Sequence, residues 1–241
     1  MKDVKEILDA LGGEGQRELI KGLDNLSGFG GTHDLAIAFV KKNKIHSSDG
    51  FYDECPLKWI TWFATVYGKD DRFQGGAGIT DRIRLALILG ALEVFNLINN
   101  ERHNTDYSGE KTPNRIRVAN KSLLASYRHL SGEIDDNQLL ASHFRAYKKW
   151  DGGPSYTDTK DAHRSSSAYW LAIEASGSQQ EHYCAGLENY NRFTPGTQKR
   201  LETIYRRILP DMASRFAPVL PNETDEIRVG FERVGKREMA K

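Results

Sequence analysis

Lysine and arginine side chains grouped between positions 111 and 130 are the residues of this 241-residue sequence best suited to chemistry. The segment holds no acidic residue and five bases: Lys111, Arg115, Arg117, Lys121 and Arg128. At about 100° per residue of an α-helix, Arg117, Lys121 and Arg128 fall within about 40° of one another. Such a stripe binds phosphates, because each bound cation releases counterions from a nucleic acid. The alternative is a solvated helix face whose counter-charges come from other helices.

A second group of cations lies at the end of the next predicted helix, at about 135–150. Its members are Arg145, Lys148 and Lys149. Cations in a last helical turn also stabilise the helix dipole, so C-terminal capping is the alternative to a phosphate-binding wall. Tyr147 or Trp150 is a candidate platform for base stacking, although both lie on the apolar face.

The glycine-rich segment 72–84 contributes Arg72 and Arg82. A glycine-rich turn that enters a helix exposes N–H groups that suit a phosphate. However, no Lys-Ser/Thr pair follows the glycines, and Asp81 in the first turn would repel an anion. The ten predicted nucleic-acid-binding residues are therefore Arg72, Arg82, Lys111, Arg115, Arg117, Lys121, Arg128, Arg145, Lys148 and Lys149. A further cluster, Lys199, Arg200, Arg206 and Arg207, is predicted to be a solvated face.

Patterns for metal binding and catalysis are largely missing. No two of the seven histidines have H-x-x-x-H spacing and no C-x-x-C occurs, so we predict no metal, no cofactor and no catalytic residue. His143 lies on an apolar helix arc and is predicted to be a core histidine. Cys55 and Cys184 are predicted to be buried thiols. A nucleophile pair of Cys184 with His163 or His129 is the enzymatic alternative.

The elements that must position these residues are predicted to be helices. Thr80-Asp81 begins the longest helix, at about 80–100, whose apolar residues go nearly all the way round, so we expect a buried central helix. Thr112-Pro113 and Thr194-Pro195 begin two others. Asn222 caps a last helix, although 227–234 alternates like a strand. The predicted fold class is all-α, with about ten helices around the central helix. Residues 1–241 form either one domain or two lobes with a break near 102–112 or 151–154.

The overall charge balance hides this patterning. The chain has 34 Lys and Arg against 33 Asp and Glu, a net charge of +1, which excludes a diffuse polycation but not a focused cationic surface. Hydrophobic residues make up 39%, which excludes a disordered chain. The N-terminal residues lack the apolar run of a secretory signal, and no stretch is apolar enough for a membrane span. We therefore expect a cytoplasmic protein.

The favoured function is a structural nucleic-acid-binding protein that contacts the phosphates of single-stranded RNA in a basic groove. In general character the chain resembles the compact helical nucleocapsid or coat proteins of RNA viruses, which implies a homo-oligomer and a location in the virion. No motif assigns it to a particular family. A helical enzyme with a site assembled from distant residues and a helical protein-binding scaffold remain as alternatives.

Overall fold

The structure is a computed structural model that describes residues 13, 16–17, 20, 32–57, 59–61, 80–101, 111–148, 170–172, 175–176, 187, 190–210 and 217–239. Every regular element within these ranges is helical, which confirms the predicted all-α class. In chain order they are α1 (Thr32–Asn43), α2 (Ser48–Glu54), α3 (Asp81–Glu101), α4 (Lys111–Leu130), α5 (Asp136–Lys148), the 3₁₀ turn Tyr190–Arg192, α6 (Pro195–Ile208) and α7 (Pro221–Met239). The predicted break at 151–154, and most of that at 102–112, lie outside the described residues.

Helix α3 lies at the centre of the fold, as its apolar pattern predicts. Positions 83–92 are all buried, as are Val94 and Phe95. Helices α4, α6 and α7 pack against it, because a helix that is apolar on nearly all sides must be covered on nearly all sides. Within the described ranges, none of the helices combines the length and the apolarity that a membrane crossing requires.

Glycines allow α6 and α7 to approach α3 closely. A Cβ atom at Gly90 would lie 2.4 Å from the hydroxyl oxygen of Tyr205, which is itself fully buried. A Cβ atom at Gly230 of α7 would lie 2.6 Å from a methyl carbon of Leu92. Both separations are shorter than side chains tolerate, so glycine at these two crossings sets how tightly the helices pack.

Helix ends are fixed by local hydrogen bonds. Thr194 caps α6 by accepting from the Thr197 amide, and Pro195 occupies the first turn, as predicted. Before α5, the Asp135 side chain accepts from the Gln138 amide at 2.8 Å, and the Gln138 side chain accepts from the Asp135 amide at 3.0 Å. This reciprocal pair is a capping box, which the sequence reading did not identify.

The strand alternative for 227–234 is wrong, because this segment is the middle of α7. Ile227 and Val234, seven residues apart, are both buried, while Val229 is 36% exposed. The burial of side chains in this segment therefore follows a helical period, not the two-residue alternation of a strand that the sequence suggests. The predicted cap at Asn222 is wrong, because α7 begins at Pro221 and Asn222 lies within its first turn. Instead, the Glu223 carboxylate accepts from the Leu220 amide at 2.8 Å.

Replacing Gly90 with alanine tests the close crossing of α3 and α6. The added methyl group collides with the Tyr205 ring, so we expect Gly90→Ala to lower the free energy of unfolding by about 1–3 kcal/mol despite the better helix propensity of alanine. Urea unfolding followed by circular dichroism measures the loss. The matched control is Gly196→Ala in the first turn of α6, where the new Cβ meets only the end of Arg200 at 3.5 Å. An equal loss in both variants would contradict the packing argument.

Candidate nucleic-acid interface

Helices α4 and α5 form an antiparallel hairpin that carries most of the predicted site. The Gly132 amide donates to the His129 carbonyl at 3.0 Å, and the Glu133 amide donates to the Arg128 carbonyl at 2.8 Å. These two bonds, with Gly132 at φ 74°, form a Schellman motif that ends α4 and reverses the chain. His129 Nε2 then lies 2.7 Å from the Asp136 carboxylate at the start of α5.

Buried polar contacts fix which residues of the two helices lie side by side. Ser122 Oγ donates to Ser176 Oγ at 2.9 Å, and His143 Nδ1 lies 3.2 Å from the same Ser176 oxygen. His143 is 3% exposed, which confirms the predicted core histidine. Because Ser122 and His143 share a partner, their neighbours Lys121 and Arg145 lie at nearly the same height along the hairpin.

The outer face of α4 is exposed where the helical wheel places the cationic stripe. Lys121 and Arg128 are exposed, whereas Ala119 and Leu123 on the opposite arc are buried. Leu124, which falls within the same stripe, is 45% exposed. The outward face of α4 therefore combines ammonium and guanidinium groups with apolar surface.

The cations of the hairpin differ in how far other side chains neutralise them. Lys121 contacts no carboxylate among the described residues. Arg145 is exposed, and its Nε donates only to the Ala141 carbonyl, at 3.1 Å. Arg128 Nε lies 3.1 Å from the Glu133 carboxylate, with both side chains about half exposed. Arg128 therefore already has a carboxylate partner, unlike Lys121 and Arg145.

Charge is unevenly distributed along the hairpin. The acidic residues Glu133, Asp135 and Asp136 lie at the turn, where α4 ends and α5 begins. The opposite end carries the start of α4 and the end of α5, which hold Lys111, Arg115, Arg117 and Lys121 on α4 and Arg145 and Lys148 on α5. The described backbones of two predicted basic segments thus lie at the same end, because the helices run antiparallel.

Several predicted residues cannot be assigned to this face. Arg72 and Lys149 lie outside the described residues, as do Trp150, Cys184 and His163. Lys111, Arg115, Arg117 and Lys148 have described helical positions but no described side chains, and the same holds for Tyr147. Arg82 is held by Glu223, with Nη1 2.5 Å from Oε2 and both side chains less than 15% exposed, so its guanidinium joins α3 to α7.

The arginines of α6 are also engaged within the fold. Arg200 bonds Glu93 of α3 at 2.5 Å, and Arg207 bonds Glu226 of α7 at 2.7 Å. Arg206 pairs with Glu202 and donates to the carbonyls of Tyr52 and Cys55 at the end of α2. Lys199, Arg200 and Arg207 are exposed, as the predicted solvated face requires, and the counter-charges of the two arginines come from neighbouring helices. Beside it, burial raises the pKa of the Cys55 thiol to about 12, consistent with the predicted buried thiol.

Phe144 is a candidate that the sequence reading missed. Leu139, His143 and Ala146 are buried on one face of α5, and Phe144 lies outside that face with 42% of its surface exposed. The same helical spacing could have identified it, since position 144 falls about 100° or more from the buried positions 139, 143 and 146 on the wheel. An exposed aromatic ring next to Arg145 suits base stacking.

Neither a metal site among the described residues nor a similar known protein adds to the description of this interface. Among the side chains that the structure describes, no three of His, Cys, Asp and Glu converge on a possible metal site. Comparison of the chain with known protein families, curated proteins and solved structures found no match. The resemblance to viral nucleocapsid or coat proteins thus remains a prediction.

Removing a linking arginine should destabilise the fold, whereas removing a stripe cation should not. Arg206→Gln leaves the carbonyls of Tyr52 and Cys55 without their charged donor, so we expect a loss of about 2–3 kcal/mol in the free energy of unfolding. Lys121→Gln is the control and should change it by less than about 0.5 kcal/mol. Urea unfolding compares the two. Similar losses in both variants would contradict the division into linking and available cations.

The Arg207–Glu226 pair predicts a small acid sensitivity. The hydrogen bonds from Arg207 hold the pKa of Glu226 below its usual value of 4.5, so the folded state favours the ionised carboxylate. This stabilisation is present above that value and is lost as the pH falls through the lowered pKa. Glu226→Gln should be less stable than wild type by at most about 1 kcal/mol near pH 6, because the pair is exposed. Urea unfolding should show the difference shrinking as the pH falls below 4.5, and a difference independent of pH would contradict the assignment.

Proposed function

We propose that this protein is a structural nucleic-acid-binding protein that holds single-stranded RNA on the α4–α5 hairpin. The observation that carries the proposal is the pair of exposed cations, Lys121 and Arg145, which lie on two helices at nearly the same height without a described carboxylate partner. By contrast, the described arginines of α6 are bound by carboxylates. Available positive charge is thereby concentrated on one part of the surface.

Phosphate contacts supply the affinity. Arg117, Lys121 and Arg128 are four and seven residues apart, which spaces them by about 6 Å and 10 Å along the helix axis. A chain of phosphates that follows α4 can contact more than one of these cations. Each contact releases counterions, so binding must weaken steeply as salt is added.

The apolar surface beside these cations favours single strands over duplexes. Leu124 and Phe144 are 45% and 42% exposed. The bases of a single strand are accessible for stacking on an aromatic ring, whereas those of a duplex are stacked on one another. Phosphate and stacking contacts do not read base edges, so little sequence preference is expected.

A coat-like role extends this proposal. A compact helical body with one phosphate-binding face can cover RNA repeatedly if copies assemble side by side. On this proposal the protein is a homo-oligomer, located in the cytoplasm or in a virion. An enzyme or a protein-binding scaffold would instead retain no nucleic acid.

Charge removal on the stripe tests RNA binding. We expect the triple variant Arg117→Gln, Lys121→Gln, Arg128→Gln to bind a fluorescent RNA of about 20 nucleotides at least about tenfold more weakly in an anisotropy titration. The slope of log affinity against log salt should flatten by about 2, since each phosphate contact on a single strand contributes about 0.7. A duplex of the same length should bind more weakly than the single strand.

The matched control removes the same charge elsewhere on the surface. Lys41, Lys42 and Lys199 are exposed on α1 and α6, and their triple glutamine variant should bind RNA like the wild type. Circular dichroism should show equal helicity in all three proteins. Salt-insensitive binding, wild-type affinity in the stripe variant, or an equal loss in the control would contradict the proposal.

A further inference from the structure

One buried serine joins both helices of the α4–α5 hairpin. Ser122 Oγ of α4 donates to Ser176 Oγ at 2.9 Å, and His143 Nδ1 of α5 lies 3.2 Å from the same oxygen. None of the three residues is more than 3% exposed. Because Ser122 gives its proton to Ser176, the Ser176 hydroxyl can donate its own proton to His143, and one hydroxyl thus links the two helices.

The chain around Ser176 is anchored to the central helix. The carbonyl of the preceding residue, Ala175, accepts from Nη1 of Arg84 at 2.5 Å, and Arg84 of α3 is fully buried. In the same segment, the Ala172 carbonyl lies 3.3 Å from Ser122 Oγ. A part of the core outside the hairpin therefore meets both hairpin helices at one point.

Hydrogen bonds fix the relative placement of two helices more narrowly than apolar packing does. Apolar contacts are non-directional, whereas a hydrogen bond requires a defined distance and angle. A buried polar group that loses its partner is also destabilising. Any rotation or shift that separates Ser122 or His143 from Ser176 is therefore disfavoured.

The two available cations of the hairpin lie within one turn of this contact. Lys121 precedes Ser122 by one residue, and Arg145 follows His143 by two. Because the helices run antiparallel, both displacements lead away from the turn of the hairpin, by about 1.5 Å and about 3 Å along the helix axes. The contact with Ser176 thus sets the height of one cation relative to the other.

We propose that Ser176 is a positioning residue for RNA binding, an inference that rests on the function proposed above. Ser176 is buried and does not itself contact the RNA. It holds α4 and α5 so that Lys121 and Arg145 bind phosphates of one strand at the same time. Affinity then depends on the preorganisation of the two cations as well as on their charge.

Removing the Ser176 hydroxyl tests this role. Ser176→Ala deletes no charge, but it should weaken binding of the fluorescent RNA by about two- to fivefold, the loss expected for one exposed ion pair. The slope of log affinity against log salt should flatten by about 0.7, because one phosphate contact is lost. Anisotropy titrations at several salt concentrations measure both quantities.

A Lys121→Gln background separates positioning from a general effect on folding. Lys121→Gln removes one of the two cations, so their relative placement no longer matters and Ser176→Ala should cause no further loss of affinity. A substitution that only lowers the amount of folded protein would cause the same loss in both backgrounds. Ser122→Ala breaks the same contact from α4 and should reproduce the effects of Ser176→Ala, which provides a second variant in case the first does not fold.

Ser126→Ala is the matched control. Ser126 is equally buried on α4, but its hydroxyl donates to the Ser122 carbonyl at 3.0 Å. Its RNA affinity and salt slope should match those of the wild type. Circular dichroism should show equal helicity in all the variants compared.

The possible failures distinguish the positioning role from the RNA proposal. Wild-type affinity in Ser176→Ala and Ser122→Ala, an equal loss in Ser126→Ala, or an undiminished loss in the Lys121→Gln background would overturn the positioning role and leave the RNA proposal standing. Absence of RNA binding by the wild-type protein would contradict the RNA proposal, and the positioning role with it.

Discussion

Helix α3 has apolar side chains around almost its whole circumference, and water must therefore be excluded from nearly all of it. This requirement brings α4, α6 and α7 around the axis of α3. It also makes glycine necessary at two close contacts, where Gly90 meets Tyr205 and Gly230 meets Leu92. It also buries Arg84 completely. The guanidinium of Arg84 donates to the Ala175 carbonyl at 2.5 Å, because a charge within this core must be hydrogen-bonded.

The same arrangement divides the arginines into two kinds. Arg82, Arg200 and Arg207 each reach from one helix to a carboxylate on another, so their charge is used within the fold. Helix α4 has no acidic residue of its own, and its exposed face is remote from α3. Lys121 of α4 and Arg145 of α5 are exposed without a described carboxylate partner, although the chain as a whole is nearly neutral.

Covering a central helix with separate helices also leaves gaps between them. Helices α6 and α7 lie on α3 with little contact between them, and the groove between them is lined by Leu89, Leu92, Glu93 and Asn96 of α3. The proposed RNA face arises from the outside of one helix hairpin, whereas this groove arises between two helices that pack on the core. The two surfaces have different chemistry, since the first carries exposed cations and the second combines apolar side chains with paired charges.

Local patterns in the sequence were enough to predict the all-α class, the buried helix that begins at Thr80-Asp81, the cap at Thr194 and the core position of His143. Each of these features depends on residues within one or two helical turns, so the local sequence contains the information. The stripe on α4 stays a prediction, of which Lys121 and Arg128 are described and exposed. Local patterns did not predict that Arg206 binds the end of α2 or that Arg82 is held by Glu223. The two observed contacts join residues about 140 to 150 positions apart, and an isolated arginine looks the same in the chain whether a distant carboxylate meets it or not. Packing around α3 brings those groups together, and it therefore decides which cations face solvent.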